Sequence, residues 1–267
     1  MGGARPILFL TDYGVEDEYV GLCHAVMAGI APEARVVDLT HGIPGQDVRR
    51  GALTLAAAVP YAPPDPVFLA VVDPGVGTTR RAVVVEAREA LLVGPDNGLL
   101  SLAWDRLGGP RAAREVTSPR VTLPDVSPTF QGRDVFAPVA AHLATGVPME
   151  EVGPAIDPYS LVRVAFPEPA VEAGRLGCEV IGIDRFGNVQ LGARREHLER
   201  AGLGEGRELA LRGVAVSAVR TFADVPAGAF GLLEDSAGWL AVVRNGGSAA
   251  EALHIGPGER LELGAIG

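Results

Sequence analysis

Two apolar runs in this chain end in a carboxylate and then turn. Ile7-Leu-Phe-Leu10 leads into Thr11-Asp-Tyr-Gly14, and Phe68-Leu-Ala-Val-Val72 leads into Asp73-Pro-Gly-Val-Gly-Thr-Thr-Arg80, which returns a guanidinium soon after an acid. Strands that deliver acids at their carboxyl ends point to the edge where open α/β sheets bind ligands. Asp12 in that position can accept two hydrogen bonds from a vicinal diol such as a ribose, or it can cap a helix or turn. Asp73 and Arg80 flank a turn in which Pro74 stops the strand and Gly75 and Gly77 permit close backbone approach, so they form either a site or a structural ion pair. Gly75-Val-Gly77 is not a dinucleotide fingerprint, because Arg80 stands where the third glycine belongs. Further on, Asp184-Arg-Phe-Gly-Asn188 offers an acid, an aromatic face and an amide together, although a tight turn uses the same residues. Pro95-Asp-Asn-Gly98 likewise reads as a turn beside a pocket.

Composition removes several chemistries. All 23 cations are arginine, so no Schiff-base or P-loop lysine exists. The formal net charge of −10 disfavours a nucleic-acid partner, whose phosphates need clustered cations. His24, His41, His142, His197 and His254 are isolated in sequence without metal spacing, so each reads as structural and no metal is indicated. Cys23 and Cys178 lie in apolar contexts and read as small buried hydrophobes in a reducing cytoplasm. The amino-terminal apolar run is far shorter than the stretch of about 20 residues that spans a bilayer, and it lacks a cleavage signature; neither membrane nor secretion is expected.

The elements that position these residues fall into two groups. Through about residue 148 the pattern alternates: strand 6–10, helix from about Glu16 to Gly29, strand 35–39, helix from about Asp47 to Val59, strands 67–72, 82–86 and 91–94, and a helix from about Asp134 to Ala144. That alternation predicts an α/β domain over residues 1–150. The proline-bearing segment 151–175 reads as a linker. Over 176–267, short segments at Gly177–Asp184, Glu208–Leu211, Val214–Val219, Gly238–Arg244 and Arg260–Leu263 predict an all-β, barrel-like or sandwich domain.

Five runs taken together resemble one family: Thr11-Asp-Tyr-Gly14, Asp73-Pro-Gly-Val-Gly-Thr-Thr-Arg80, Gly94-Pro-Asp-Asn-Gly98, Thr129-Phe-Gln-Gly-Arg-Asp134 and Ile183-Asp-Arg-Phe-Gly-Asn188. They are similar to the S-adenosylmethionine hydroxide adenosyltransferases, relatives of fluorinase and chlorinase, and the similarity runs in order to Ser236-Ala-Gly-Trp239 and Val243-Arg-Asn-Gly-Gly-Ser-Ala-Ala-Glu251. The resemblance implies an α/β domain followed by a β-barrel, and a homotrimer with substrate held between one subunit's first domain and its neighbour's second. It implies that Asp12 holds the ribose hydroxyls, that Phe186 and Asn188 meet the adenine, and that Asp184 and Ser236 meet the methionine portion. It also implies that the backbone from Val243 and Arg244 to Gly246 lines the adenine pocket.

The implied reaction is attack of a water-derived hydroxide on the ribose C5′ of S-adenosyl-L-methionine, expelling methionine and leaving adenosine. It needs no cofactor, since S-adenosylmethionine is the substrate. Arg80 is expected to polarise the water and Asp73 to orient or deprotonate it. The third position departs: hydrolases of the family carry histidine where this chain has Gln131. Glutamine donates and accepts hydrogen bonds but takes no proton near neutral pH, so a Gln131→His exchange is expected to raise the rate. A slow or silent S-adenosylmethionine-binding protein is the alternative implied by Gln131. Halogenation ranks below both, because halogenases carry tyrosine at the position of Asp73 and an insertion absent between Arg81 and Gly94.

Overall fold

The computed structural model describes residues 3–266. The chain forms two compact units, one ending at Val164 and the other beginning at Ala165.

The first unit is built on a seven-stranded sheet. Its strands are β1 (Ile7–Thr11), β2 (Val36–Thr40), β3 (Val67–Val71), β4 (Ala82–Ala87), β5 (Ala90–Pro95), β6 (Ala112–Glu115) and β7 (Ala155–Ile156), in the order β2-β1-β3-β5-β4-β6-β7. Strands β2, β1, β3 and β5 are parallel, while β4, β6 and β7 continue the sheet antiparallel. β1 and β3 are buried at every position, as near-continuous apolar runs must be when both faces of a parallel sheet are covered. Alternate residues supply two cores. Ile7, Phe9, Leu69 and Val71 pack with Cys23 and Met27 of α1 (Tyr19–Ile30). Leu8, Leu10, Phe68 and Ala70 pack on the opposite face with Leu55 of α2 (Val48–Ala58) and Trp104 of α3 (Ser101–Arg106). The chain leaves β1 for β2 on one side and returns to β3 on the other, so the strand order reverses at β1/β3. There Thr11 and Val71 lie in register, and ligands bind at such reversal points.

Several boundaries differ from those the sequence predicts. α1 begins at Tyr19 rather than Glu16, because the Glu16 carboxylate folds back to accept the Val15 N–H (3.1 Å). The helix expected from Asp134 begins instead as a π-helical turn, Gly132–Phe136, and continues as α4 (Ala137–Ala144). Pro138 explains the change: its ring disfavours an α-helical carbonyl at residue 134. The Asp134 carbonyl accepts from Leu123 N (2.9 Å) instead, and Ala137 N–H reaches back to the Gly132 carbonyl. Residues 151–164, read as the start of a linker, belong to the first unit because β7 pairs with β6.

The second unit is the barrel. β9 (Arg175–Ile183), β10 (Val189–Leu191), β11 (Glu208–Leu211), β12 (Val214–Ala218), β13 (Phe230–Glu234), β14 (Leu240–Arg244) and β15 (Arg260–Ala265) close when β10 pairs with both β14 and β9. β9 is long enough to pair with β8 (Ala170–Glu172) at its start and with β10 at its end. Closure leaves few free strand edges. Leu176, Cys178, Val180, Leu209, Val216, Val242 and Leu261 fill the interior. β13, unforeseen from sequence, carries Gly231, where a Cβ would come within 3.0 Å of Val219. Two short helices, α5 (Arg195–Arg200) and α6 (Ala249–Leu253), complete the unit. Among the described residues no helix is long and apolar enough to cross a membrane.

Candidate active site

The loops after β1 and β3 meet the segment before α4 around a cavity of about 320 Å³, lined by Asp12, Tyr13, Asp73, Phe130, Gln131 and Gly132 among others. Its size falls at the lower end of small-molecule pockets.

Asp12 is not the cap of α1, which begins seven residues later. One of its oxygens, Oδ2, accepts the Gln46 N–H across the sheet edge (2.8 Å), which fixes the carboxylate as part of the cavity wall. Asp73 is nearly buried, with 6 % of its side chain exposed, and Arg80 shows 11 %. The Arg80 Nε–H is shared between the two Asp73 oxygens at 3.0 Å each. A terminal nitrogen of the same guanidinium donates both to Asp73 Oδ2 and to Gln131 Oε1. The Phe136 ring lies 5.2 Å from the guanidinium carbon, within cation–π reach. Arg80 therefore holds Asp73 and Gln131, and those two, rather than Arg80, line the cavity. Because arginine only donates, the Gln131 carbonyl must face it, leaving the amide NH₂ as the group with donors to spare.

The turn between Asp73 and Arg80 is fixed by its own backbone. The Thr78 hydroxyl donates to the Gly75 carbonyl (2.7 Å) and Val76 N–H to the Asp73 carbonyl (3.2 Å). Gly77 has φ +77°, and a Cβ there would approach the Pro128 carbonyl oxygen to 2.9 Å. The Pro95–Gly98 run serves as scaffold: Asn97 Nδ2–H donates to the Val72 carbonyl (2.8 Å), and Asp96 accepts from Arg81 Nε (2.8 Å).

Four members of the site were not singled out from the sequence. Tyr13, Tyr19 and Phe130 form an aromatic wall with ring centroids 5.1 to 6.0 Å apart. Burial, reinforced by Cys23, Asp12 and Asp73, raises the Tyr13 phenol well above its usual range, so it remains protonated. Gly132 is the fourth: an added Cβ would stand 2.0 Å from the Tyr13 hydroxyl oxygen. Asp134, next in the same run, is fully buried. Burial opposes its ionisation, but hydrogen bonds from Arg133 Nε (2.6 Å) and Ser127 N (2.9 Å) prevail and hold its carboxyl below the usual value.

The second unit carries its own group. Asp184, Phe186, Asn188, Ser236 and Val243 line a cavity of about 460 Å³ whose floor is the outer face of β13 and β14. Arg244 lines an adjoining space of about 410 Å³ that shares Phe186 and Asn188. Asp184 also makes the turn: it accepts from Phe186 N, Asn188 N (both 2.9 Å) and Asn188 Nδ2 (2.7 Å). Its carboxylate thus shapes the loop that presents Phe186, a residue 69 % exposed, with the Arg185 guanidinium carbon 5.7 Å from the centroid of its ring.

The histidines need one correction. His24 and His41 are not isolated, because α1 and the end of β2 bring both to Asp38; sequence separation concealed this. His197 accepts Arg194 N (3.0 Å) at the start of α5, and His254 takes the left-handed position ending α6. Cys23 and Cys178 are free and buried, with both thiols pushed up to about 12 by burial, so neither is a nucleophile at neutral pH.

Removing the Asp12 carboxylate tests its place in the wall. Asp12→Ala is expected to raise KM by about tenfold while changing kcat less, as loss of binding made equally in ground and transition states requires. Steady-state kinetics check this; an unchanged KM contradicts a ligand contact at Asp12.

Comparison with known proteins agrees with the geometry over both units. Residues 7–153 match the model of the SAM hydroxide adenosyltransferase N-terminal domain, and residues 178–262 match that of the C-terminal domain. A protein from Salinispora tropica named (R)-S-adenosyl-L-methionine hydrolase is 50 % identical over 259 residues, covering 97 % of each chain. A fluorinase from Actinoplanes sp. is 32 % identical over 272 residues, covering 90 % of each. The crystal structure of a conserved protein from Thermotoga maritima superposes with a TM-score of 0.89 at 34 % identity, over 96 % of this chain and 99 % of that one. With the cavity-lining runs and both units matched in order, the chain belongs to the SAM hydroxide adenosyltransferase family.

Proposed function

We propose that this protein hydrolyses S-adenosyl-L-methionine to adenosine and L-methionine. The observation that carries the reading is the shared hold of Arg80 on Asp73 and Gln131, which sets an acceptor and a donor side by side in one cavity. The name of the Salinispora relative supports the substrate, and with it a preference for the R sulfonium epimer.

Water placed between the two groups donates one hydrogen to the Asp73 carboxylate and accepts one from the Gln131 amide. Asp73 takes the proton as the oxygen attacks C5′ in line. The C5′–O bond forms, the C5′–S bond breaks with its electron pair going to sulfur, and neutral methionine departs. The thioether leaves without needing a proton, so the protein's task is confined to orienting and deprotonating the nucleophile. Arg80 is a positioning residue in this scheme. Asp12 holds the ribose hydroxyls.

Gln131 then has a different meaning from the one its identity suggests. A neutral amide that accepts from Arg80 through its carbonyl offers only donors from its other end, and a neutral histidine accepting through one ring nitrogen would do the same through its second N–H. Gln131→His is therefore expected to change kcat by no more than about threefold, because the proton acceptor is Asp73 in both proteins. A gain of about a hundredfold in single-turnover rate would instead assign the base to position 131.

Phe186, Asn188, Asp184, Ser236, Val243 and Arg244 form the adenine- and methionine-binding half of the site, and the protein works as a homotrimer in which that half comes from a neighbouring subunit. The separation of the two cavities into different units supports this. Mixing Asp73→Asn with a variant carrying Phe186→Ala and Asn188→Ala is expected to restore part of the activity neither retains alone. No restoration, with mixed trimers seen by native mass spectrometry, contradicts a shared site. We place the protein in the cytoplasm, in keeping with its two free, buried thiols.

The direct test is incubation with S-adenosylmethionine, with and without chloride, and identification of products. Adenosine and methionine, unaffected by chloride, are expected. Chloroadenosine would favour a halogenase, which the Asp73 carboxylate in the cavity disfavours through its repulsion of a halide. Bound but unconverted substrate would contradict the enzyme.

A further inference from the structure

One group of histidine and carboxylate side chains converges outside both cavities. His24 on α1, Asp38 on β2 and His41 just beyond β2 place one donor atom each within 4.8 Å of one another. His24 Nε2 lies 2.9 Å from Asp38 Oδ1, and His41 Nε2 lies 3.2 Å from the same oxygen. His41 is buried, with 5 % of its side chain exposed, and its Nε2 makes no hydrogen bond. Its other ring nitrogen, Nδ1, lies 2.9 Å from the Thr11 hydroxyl. The Phe9 ring packs edgewise against both imidazoles, at 5.8 Å from His24 and 4.8 Å from His41, which limits their rotation.

A buried nitrogen 3.2 Å from a carboxylate oxygen but without a hydrogen bond is costly unless a positive charge is shared by the two. Zinc-class ions bind imidazole nitrogen and carboxylate oxygen at about 2.0–2.2 Å, which spaces tetrahedral donors about 3.3–3.5 Å apart. The His41 contact on Asp38 Oδ1, at 3.2 Å, is close to that spacing, and the His24 contact, a hydrogen bond at 2.9 Å, is about 0.5 Å shorter than it. Metal-bound imidazoles also use their second nitrogen for an orienting hydrogen bond, as His41 does with Thr11. His24 and Asp38 are 34 % and 44 % exposed, which supplies an entry path and room for solvent.

We propose that His24, Asp38 and His41 bind a zinc-class divalent cation, with water as the remaining ligand. The ion would tie α1 to the end of β2. It would also brace the loop after β1, since the His41 carbonyl accepts Gly14 N (2.8 Å) and the Thr11 hydroxyl accepts Tyr13 N (3.2 Å). Its role is structural, behind the residues that carry Asp12 and Tyr13.

The test uses the whole untagged chain, stripped with a chelator and titrated with zinc against a chromogenic competitor. One zinc per chain is expected, with micromolar or tighter affinity and a melting temperature that rises with zinc. His24→Gln and Asp38→Asn, both partly exposed, are each expected to weaken binding by at least about 100-fold, beyond the loss of an outer-shell contact. They should also abolish the thermal shift, while His254→Gln leaves both unchanged. Circular dichroism confirms that each variant is folded. Substoichiometric binding, or binding that survives both substitutions, overturns the site and leaves a hydrogen-bonded histidine–aspartate cluster. Neither readout depends on turnover.

Discussion

Asp73→Asn is expected to lower kcat by about 10²–10⁴-fold, or about 3–5 kcal/mol of barrier, while the dissociation constant for adenosine changes by less than about threefold. The substitution keeps the volume and an oxygen that accepts from Arg80, so the contact between residues 73 and 80 persists. What disappears is the group able to take a proton from water. Gln131 cannot replace it, because its carbonyl is committed to Arg80 and its amide only donates. Pre-steady-state turnover and adenosine titration measure the two quantities separately. Equal losses in both would assign Asp73 to uniform binding rather than to the chemical step.

Gly132→Ala is expected to have the second large effect. A methyl group at that position would stand 2.0 Å from the Tyr13 hydroxyl oxygen and 2.9 Å from the ring carbon that bears it. Tyr13 cannot withdraw freely, since its ring packs against Tyr19 and Phe130, and the glycine belongs to the π-helical turn following Gln131. Overpacking of this kind costs about 1–3 kcal/mol of stability. The accompanying displacement of Gln131 should lower kcat by about a hundredfold, the penalty for misplacing a reacting group by an ångström. Thermal denaturation and kinetics check both parts. Combining Gly132→Ala with Tyr13→Ala removes the clash and should recover most of the stability. Wild-type behaviour in the single variant would contradict the close packing of this wall.

Much of this arrangement is legible in the sequence. β1 and β3 announce themselves as continuous apolar runs, and the acids that end them fall at the reversal point because strands of equal length lie in register there. The π-helical turn was not legible as such, although Pro138 carries its cause. The turn depends on where the Asp134 carbonyl finds a donor, and that donor, Leu123 N, comes from a distant loop. Short strands such as β10 and β13 were missed because three to five residues interrupted by polar or glycine positions carry too weak a period. Ion-pair partners followed from spacing where the chain turns back on itself, as at Asp73 and Arg80. They did not where the sheet joins separate elements, as at His24 and Asp38. The orientation of Gln131 needed geometry, because no spacing in the sequence tells that its carbonyl faces the Arg80 guanidinium.

In the proposed reaction Asp73 directs a water molecule onto C5′ of S-adenosylmethionine. Turnover in heavy-oxygen water, followed by mass spectrometry of the products, follows that oxygen atom. One heavy oxygen is expected in the 5′-hydroxyl of adenosine, none newly acquired by methionine, and this labelled product is expected to be lost in Asp73→Asn. Adenosine formed without the label, or labelled equally fast by the variant, would contradict it.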